Sequence, residues 1–323
     1  MSVSSIGNLE SQLVEPVAGE PEGEAAKEIQ GRSPMQLAWA RLRRDRVAIG
    51  SFVVIILITL VAILAPVIAR LAGHGPGDQY PFTALNSYGL PVGPSRAFLF
   101  GADDLGRDLM VRVAYGARIS LIAGVVASGL AVIVGGVIGL FAGYFGTVID
   151  TALSRFMDVI LSFPLLLFAI ALVSIIGPSL GVTIAVIAFF SWASVGRIVR
   201  GQTLSLKEKE FVEAARSLGA SDMRIMFVDI LPNLVAPLIV YATLLIPAAI
   251  VFEATLSFLG LGVTPPTPTW GNMLSDAETY YKVAWWFIIF PGGALLLTTL
   301  AFNLLGDGVR DALDPRYSRL FKS

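Results

Sequence analysis

Six stretches of this chain stay apolar for long enough to cross a hydrocarbon core, which takes about 20 residues of helix. They run over residues 47–69, 117–143, 152–176, 180–200, 233–258 and 283–305. Between the fourth and the fifth lies a charged island, FVEAARSLGASDMRIMFVDILP, over residues 211–232. Its pattern is ordered. Ser205 and Glu208 have the S-x-x-E spacing of a capping box and predict a helix start near Leu206. Phe211, Ala215 and Leu218 recur at i, i+4 and i+7, predicting one apolar stripe with charge around it. Gly219 sits where such a helix would end, because it accepts the left-handed conformation without a Cβ clash. A second short amphipathic helix is expected from about Asp222 to Leu231, stopped by Pro232. Helix, glycine turn, helix and proline on a membrane-exposed loop point to a docking element for another protein. The alternative is an amphipathic hairpin lying on the lipid surface.

Composition agrees with an all-α integral membrane protein. Of 323 residues, 55% are hydrophobic and only 15% charged. The expected organisation is an acidic tail over 1–32, a basic amphipathic interfacial helix over 33–46 and a transmembrane domain over 47–310. Within that domain the polar loop occupies 205–232, and a short tail follows over 311–323. Ser33-Pro34 is a good helix entry, and Trp39 suits the membrane interface. With the N-terminus inside and six spans, 17 of the 23 basic residues fall on the cytoplasmic side. That puts both termini and residues 211–232 in the cytoplasm.

Within the spans, Ala127, Ala131, Gly135, Gly139 and Gly143 recur every four residues, a ridge along which helix backbones can approach closely. Pro237 and Pro247 should bend the fifth span, and a bent helix joined to a docking loop is a candidate moving part. Glu253 lies near the outer end of the same span. An acid there either lines a pathway or gate, or pairs with an external arginine. Residues 260–273, GLGVTPPTPTWGNM, read as a rigid external loop with Trp270 at the interface. The acids Asp103, Asp104 and Asp108 lack the spacing and terminal Glu of a calcium loop, so a salt-bridged loop is expected rather than a metal site.

Several chemistries have no foothold. No cysteine and one histidine, His74, leave nothing for a thiolate metal site or a His-based catalytic set. No paired acids suggest an enzyme, and the basic residues flank spans instead of forming a nucleic-acid patch. No G-x-x-x-x-G-K-[ST] phosphate loop exists in the chain. Gly177 to Thr183 comes nearest but lacks the lysine.

The order Glu213-Ala214-Ala215, three residues, Gly219, then Leu231-Pro232 resembles the EAA loop of the membrane subunits of bacterial ABC importers. That family usually has Ile two residues before the Leu of its Leu-Pro pair. Asp229 stands there instead, with Ile230 beside it, and the dipeptide/oligopeptide branch often carries a polar residue at that place. Together with LFGADDLGRDLMVRVAYGARISL, LSFPLLLFAI, EATLSFLGLGVTPPTPTWGNML and GDGVRDALDPR, the loop resembles the C-type permease of dipeptide/oligopeptide importers. The likeness covers nearly all of residues 35–316.

The resemblance implies a multi-pass permease of the bacterial inner membrane with the ABC type I importer fold. It would form half of a peptide pathway beside a homologous second permease, two ABC ATPase subunits and an extracytoplasmic substrate-binding protein. ATP and Mg would bind the ATPases, with no cofactor in this chain. Glu213 would supply a charged contact to the ATPase, Ala214 and Ala215 close approach, and Gly219 the turn. Relatives carry short peptides, glutathione-like compounds or nickel chelates. A different class, a secondary transporter needing no ATPase, would call for mid-bilayer acids, of which the spans are nearly free.

Overall fold

The computed structural model describes residues 34–313. The acidic tail, the Ser33 cap and the residues after Leu313 lie outside that range. Helix α1 (Pro34–Leu42) leads into α2 (Arg46–Ala72), which is capped by Asp45 accepting from the amides of Val47 and Ala48 at 2.8 and 3.1 Å. After a single turn, α3 (Pro81–Ala84), comes α4 (Leu109–Phe145). It starts well before residue 117 because Asp108 caps it through the amides of Met110 and Val111.

The expected third span, 152–176, is not one helix. It divides into α5 (Thr147–Ser162) and α6 (Leu165–Ile176), with axes 83° apart. The cause lies in Phe163-Pro164: a residue before proline is pushed out of the helical region, and Phe163 has ψ of 134°. Helix α7 (Leu180–Leu206) runs straight through Ser205, whose hydroxyl donates to the Gly201 carbonyl. The capping box at Ser205 therefore does not form. The next helix, α8 (Glu210–Ser217), begins after Lys209, with Glu210 and Glu213 in the first turn where the helix dipole favours negative charge.

Pro232 does not end a helix either. A short α9 (Asp222–Arg224) opens into a π-helical turn over Ile225–Ile230, which continues directly into α10 (Leu231–Phe258). The amide of Leu231 bonds to the carbonyl of Met226, five residues back. Proline then sits where the register returns to i−4, in the first turn of α10, so its missing N–H costs little. α10 passes through Pro237 and Pro247 without a break.

Helix α11 (Trp270–Ala277) is capped reciprocally by Thr269 and Asn272, and α12 (Trp285–Leu313) completes the described chain. Trp270 is not interfacial. It is 1% exposed, and its indole N–H donates to the Val113 carbonyl at 3.1 Å, pinning the 260–273 segment onto α4.

Five of these helices are long and apolar enough to cross a membrane, or six spans if α5 and α6 count as one. The described residues contain no β-strand, only isolated bridges. The small-residue ridge of α4 is buried throughout and packs on α7. A Cβ at Gly135 would lie 2.5 Å from the Trp192 carbonyl oxygen, and one at Gly143 2.6 Å from the Thr203 Cβ. Without lipid-driven hydrophobic association, such close backbone approach is what holds the two helices together.

Candidate coupling surface

Residues 207–232 fold into a hairpin with two unlike faces. Its inner face is set by Val212, fully buried among Ile225, Met226, Ile230 and Leu234. The same cluster takes in Leu140 and Tyr144 of α4 and Val195 and Val199 of α7. The Tyr144 hydroxyl also donates to Asp222 at 2.7 Å. The hairpin is therefore fastened to three helices at once.

Its turn is well defined. Gly219 has φ of +80°, its amide bonds to the Arg216 carbonyl, and the Ala220 amide reaches back to Ala215. These two bonds are the Schellman pattern, which satisfies the last carbonyls of α8.

The outer face is apolar and open. Phe211 is 42% exposed and Leu218 88%, with Met223, Phe227 and Val228 also exposed. Phe211, Ala215 and Leu218 do share one side of α8, as their spacing predicts, but that side faces outward. With Ala214, Gly219 and Arg224 they line a groove of about 690 Å³ that Asp229 also borders. Oδ2 of Asp229 is buried and has no hydrogen-bond partner among the described residues. Glu213 and Ala214 are exposed, Ala215 and Leu231 half-buried, and Pro232 exposed. The structure thus brings Glu213, Ala214, Ala215 and Gly219 together on α8 and its turn, and Leu231, at the start of α10, packs against the same buried cluster as Ala215.

Three residues of this surface escape sequence reasoning. Val212 has only Ala215 at helical spacing on its own helix, and its cluster is made by the returning chain and by α4 and α7. Tyr144 and Asp222 are 78 residues apart, and nothing local signals their bond.

Glu253 is fully buried and reaches no arginine. Its carboxylate accepts from Ser120 at 2.9 Å and from Ser257 at 2.7 Å, tying α4 to α10. Within this chain those two bonds make it a structural tie between the helices. With Leu244, Val251 and Thr255 of α10 and Thr299 and Asn303 of α12, Pro247 lines an outward-facing groove. Pro237 borders a smaller one with Gln202 and Tyr241.

On the opposite side the acids are held by arginines. Arg107 meets Asp103 at 2.5 Å, Asp104 at 3.6 Å and Asp276 at 3.7 Å, and Arg112 approaches Asp103 at 3.1 Å. Burial, and then repulsion from neighbouring carboxylates, push the Asp104 and Asp276 carboxyls above the usual range. Asp108 takes His74 at 2.7 Å on the oxygen not used for capping. Among the described residues no group of His, Asp or Glu has the arrangement to hold a metal ion.

Comparison with known proteins places this geometry. Residues 135–319 match the model of the family described as binding-protein-dependent transport system inner membrane component. Residues 33–87 match the N-terminal TM domain of oligopeptide transport permease C. A dipeptide transport system permease protein of Alkalihalophilus pseudofirmus is 44% identical over 88% of this chain and 90% of its own length. An oligopeptide transport system permease protein of Escherichia coli K12 is 43% identical over 90% and 93%. A glutathione transport system permease protein of Escherichia coli O6:K15:H31 is 44% identical over 89% and 92%.

Proposed function

The chain belongs to the family of binding-protein-dependent transport system inner membrane components, and from that premise we propose that it forms half of an ATP-driven import pathway for di- and oligopeptides. It is a multi-pass inner-membrane permease subunit, and its family implies ATPase and substrate-binding partners. The assembly we propose adds a homologous second permease, two ATPase subunits that bind ATP and Mg, and an extracytoplasmic binding protein. The charge distribution supports cytoplasmic termini and a cytoplasmic coupling loop.

One observation carries this reading: a hairpin whose inner face is buried in the bundle and whose outer face is apolar and exposed. An exposed apolar patch rimmed by charge is the mark of a protein contact. Glu213 supplies a charged contact, Ala214 and Ala215 let a partner backbone come close, and Gly219 keeps the turn tight. Asp229 borders the groove, where its carboxylate favours a cation from the ATPase.

Movement of the ATPase then acts on α8, and the Val212 cluster passes it to the ends of α4, α7 and α10. The π turn before Leu231-Pro232 is the flexible joint. Further along α10, Pro237 and Pro247 each remove a hydrogen bond and make the helix deformable. The groove beside Pro247 carries Asn303, an exposed amide within a membrane helix. Such groups face protein or water rather than lipid, so this face turns toward the pathway or the second permease.

Peptide cargo is supported by the dipeptide and oligopeptide relatives. Glutathione-like compounds or nickel chelates are the alternative within the branch. Glu213→Lys and Gly219→Pro are expected to abolish uptake in the reconstituted transporter while membrane insertion stays intact. Full peptide-stimulated ATPase activity and uptake in both variants would overturn the coupling role. Uptake by a preparation free of any ATPase would favour a secondary transporter instead.

A further inference from the structure

Helix α1 does not lie alone. Its Arg41 guanidinium donates to the Ala312 carbonyl at the end of α12. Just below, α12 presses against α2 so closely that a Cβ at Gly308 would meet the Cβ of Ala48 at 2.6 Å. The three helices enclose a groove of about 210 Å³ walled by Trp39, Leu42, Ile49, Phe52, Leu305 and Val309. Only Arg43, at its rim, brings a charge into that lining.

We propose that this groove holds an acyl chain of an anionic phospholipid whose phosphate is met by Arg43 and Arg44. Three observations favour a lipid over a protein occupant. First, depth: Phe52 lies about 9 Å along α2 from Arg46, and Leu305 about 12 Å along α12 from Leu313, at 1.5 Å per residue. The groove therefore begins at the interface and reaches the acyl region. Second, continuity: Phe52 joins Val53, Ile56 and Leu57, all exposed, on the lipid-facing side of α2.

Third, charge. Arg43 and Arg44 are exposed, and the Arg43 guanidinium stands 4.9 Å over the Trp39 ring, free to reach a headgroup. The nearby acids do not enter the groove. Oδ1 of Asp45 accepts from the amides of Val47 and Ala48, and with Asp311 the residue lines a separate recess beyond Leu42 that the exposed Arg44 also borders. Basic pockets between helix ends at a membrane face suit anionic headgroups.

The test uses the full chain in phosphatidylcholine nanodiscs doped with brominated phosphatidylglycerol or brominated phosphatidylcholine. Trp39 quenching is isolated by subtracting a Trp39→Phe variant. Each juxtamembrane basic residue is worth about fivefold, so phosphatidylglycerol should be preferred about 25-fold. R43Q/R44Q should bring that ratio close to one, and Val309→Phe, which fills the groove, should lower quenching by both lipids. Glycerol phosphate without acyl chains should not compete. Equal quenching by the two lipids, an unchanged ratio in R43Q/R44Q, or a Trp39 shielded from both lipids by a partner protein would each overturn the assignment.

Discussion

Replacing Gly139 with alanine adds one methyl group at the tightest part of the α4–α7 seam. The new Cβ would lie 2.8 Å from the Val199 Cβ and 3.0 Å from the Arg200 backbone nitrogen. Carbon contacts are comfortable at about 3.5–4.0 Å, so the seam must open by about 1 Å. Two of the three nearest opposing atoms, the Gly196 carbonyl oxygen and the Arg200 nitrogen, are backbone, which no rotamer change can move, so α7 has to shift as a unit. Overpacking of this kind costs about 1–3 kcal/mol. Gly129 on the same helix is the control, since its Cβ would meet nothing within 4 Å. Both substitutions gain the same helix propensity, about 1 kcal/mol, so that contribution cancels between them. Heating followed by fluorescence-detected size-exclusion should place the Gly139→Ala midpoint about 2–6 °C below that of Gly129→Ala. Equal midpoints would refute the close-packed ridge.

Four further outcomes follow from particular contacts. Ser205→Ala should change stability by less than about 0.5 kcal/mol, whereas Asp108→Ala, which removes a real cap and the partner of His74, should cost at least about 1–2 kcal/mol. Glu253→Leu leaves the Ser120 and Ser257 hydroxyls without their acceptor, at about 1–3 kcal/mol per buried group; Glu253→Gln keeps an acceptor and should lose less in the same heating assay. Asp104 and Asp276 hold protons to higher pH when folded than the ordinary 3.8. The folded chain therefore binds more protons above that value, and stability from these groups falls as pH rises through the window. Asp104→Asn should raise the unfolding midpoint at pH 7 and leave it unchanged near pH 3. Asn303→Leu, measured by uptake in proteoliposomes, should slow transport without altering expression; unchanged uptake would remove this face from the pathway.

The long helices were legible because a membrane span is a length of apolar sequence. The ridge on α4 was legible for a similar reason: small residues at fixed spacing have one physical use. The bend at Phe163-Pro164 also had a local signal, proline's effect on the residue before it, although unbroken hydrophobicity from 152 to 176 masked it. What the chain did not disclose were the features made by distant partners. The S-x-x-E spacing at Ser205 is satisfied as well by a helix interior as by a cap, and only the length of α7 decides between them. Pro232 marks a helix end unless a π turn precedes it, and that turn depends on Ile225, Met226 and Ile230 finding Val212. Trp270 looks interfacial until its indole meets Val113. The two serines that hold Glu253 left no signal that could be read locally, since one of them is 133 residues away.

The central claim is that the outer face of the Glu210–Ile230 hairpin receives the motion of an ATPase. The chain contains no cysteine, so Leu218→Cys places a single thiol on that face, where the native side chain is 88% exposed. With cysteines introduced across the ATPase surface in the reconstituted transporter, a disulfide should form to the ATPase, stop ATP-driven uptake and release it again on reduction. A fully active transporter in which the introduced thiol links to no ATPase position, or one that keeps transporting while linked, would contradict the account.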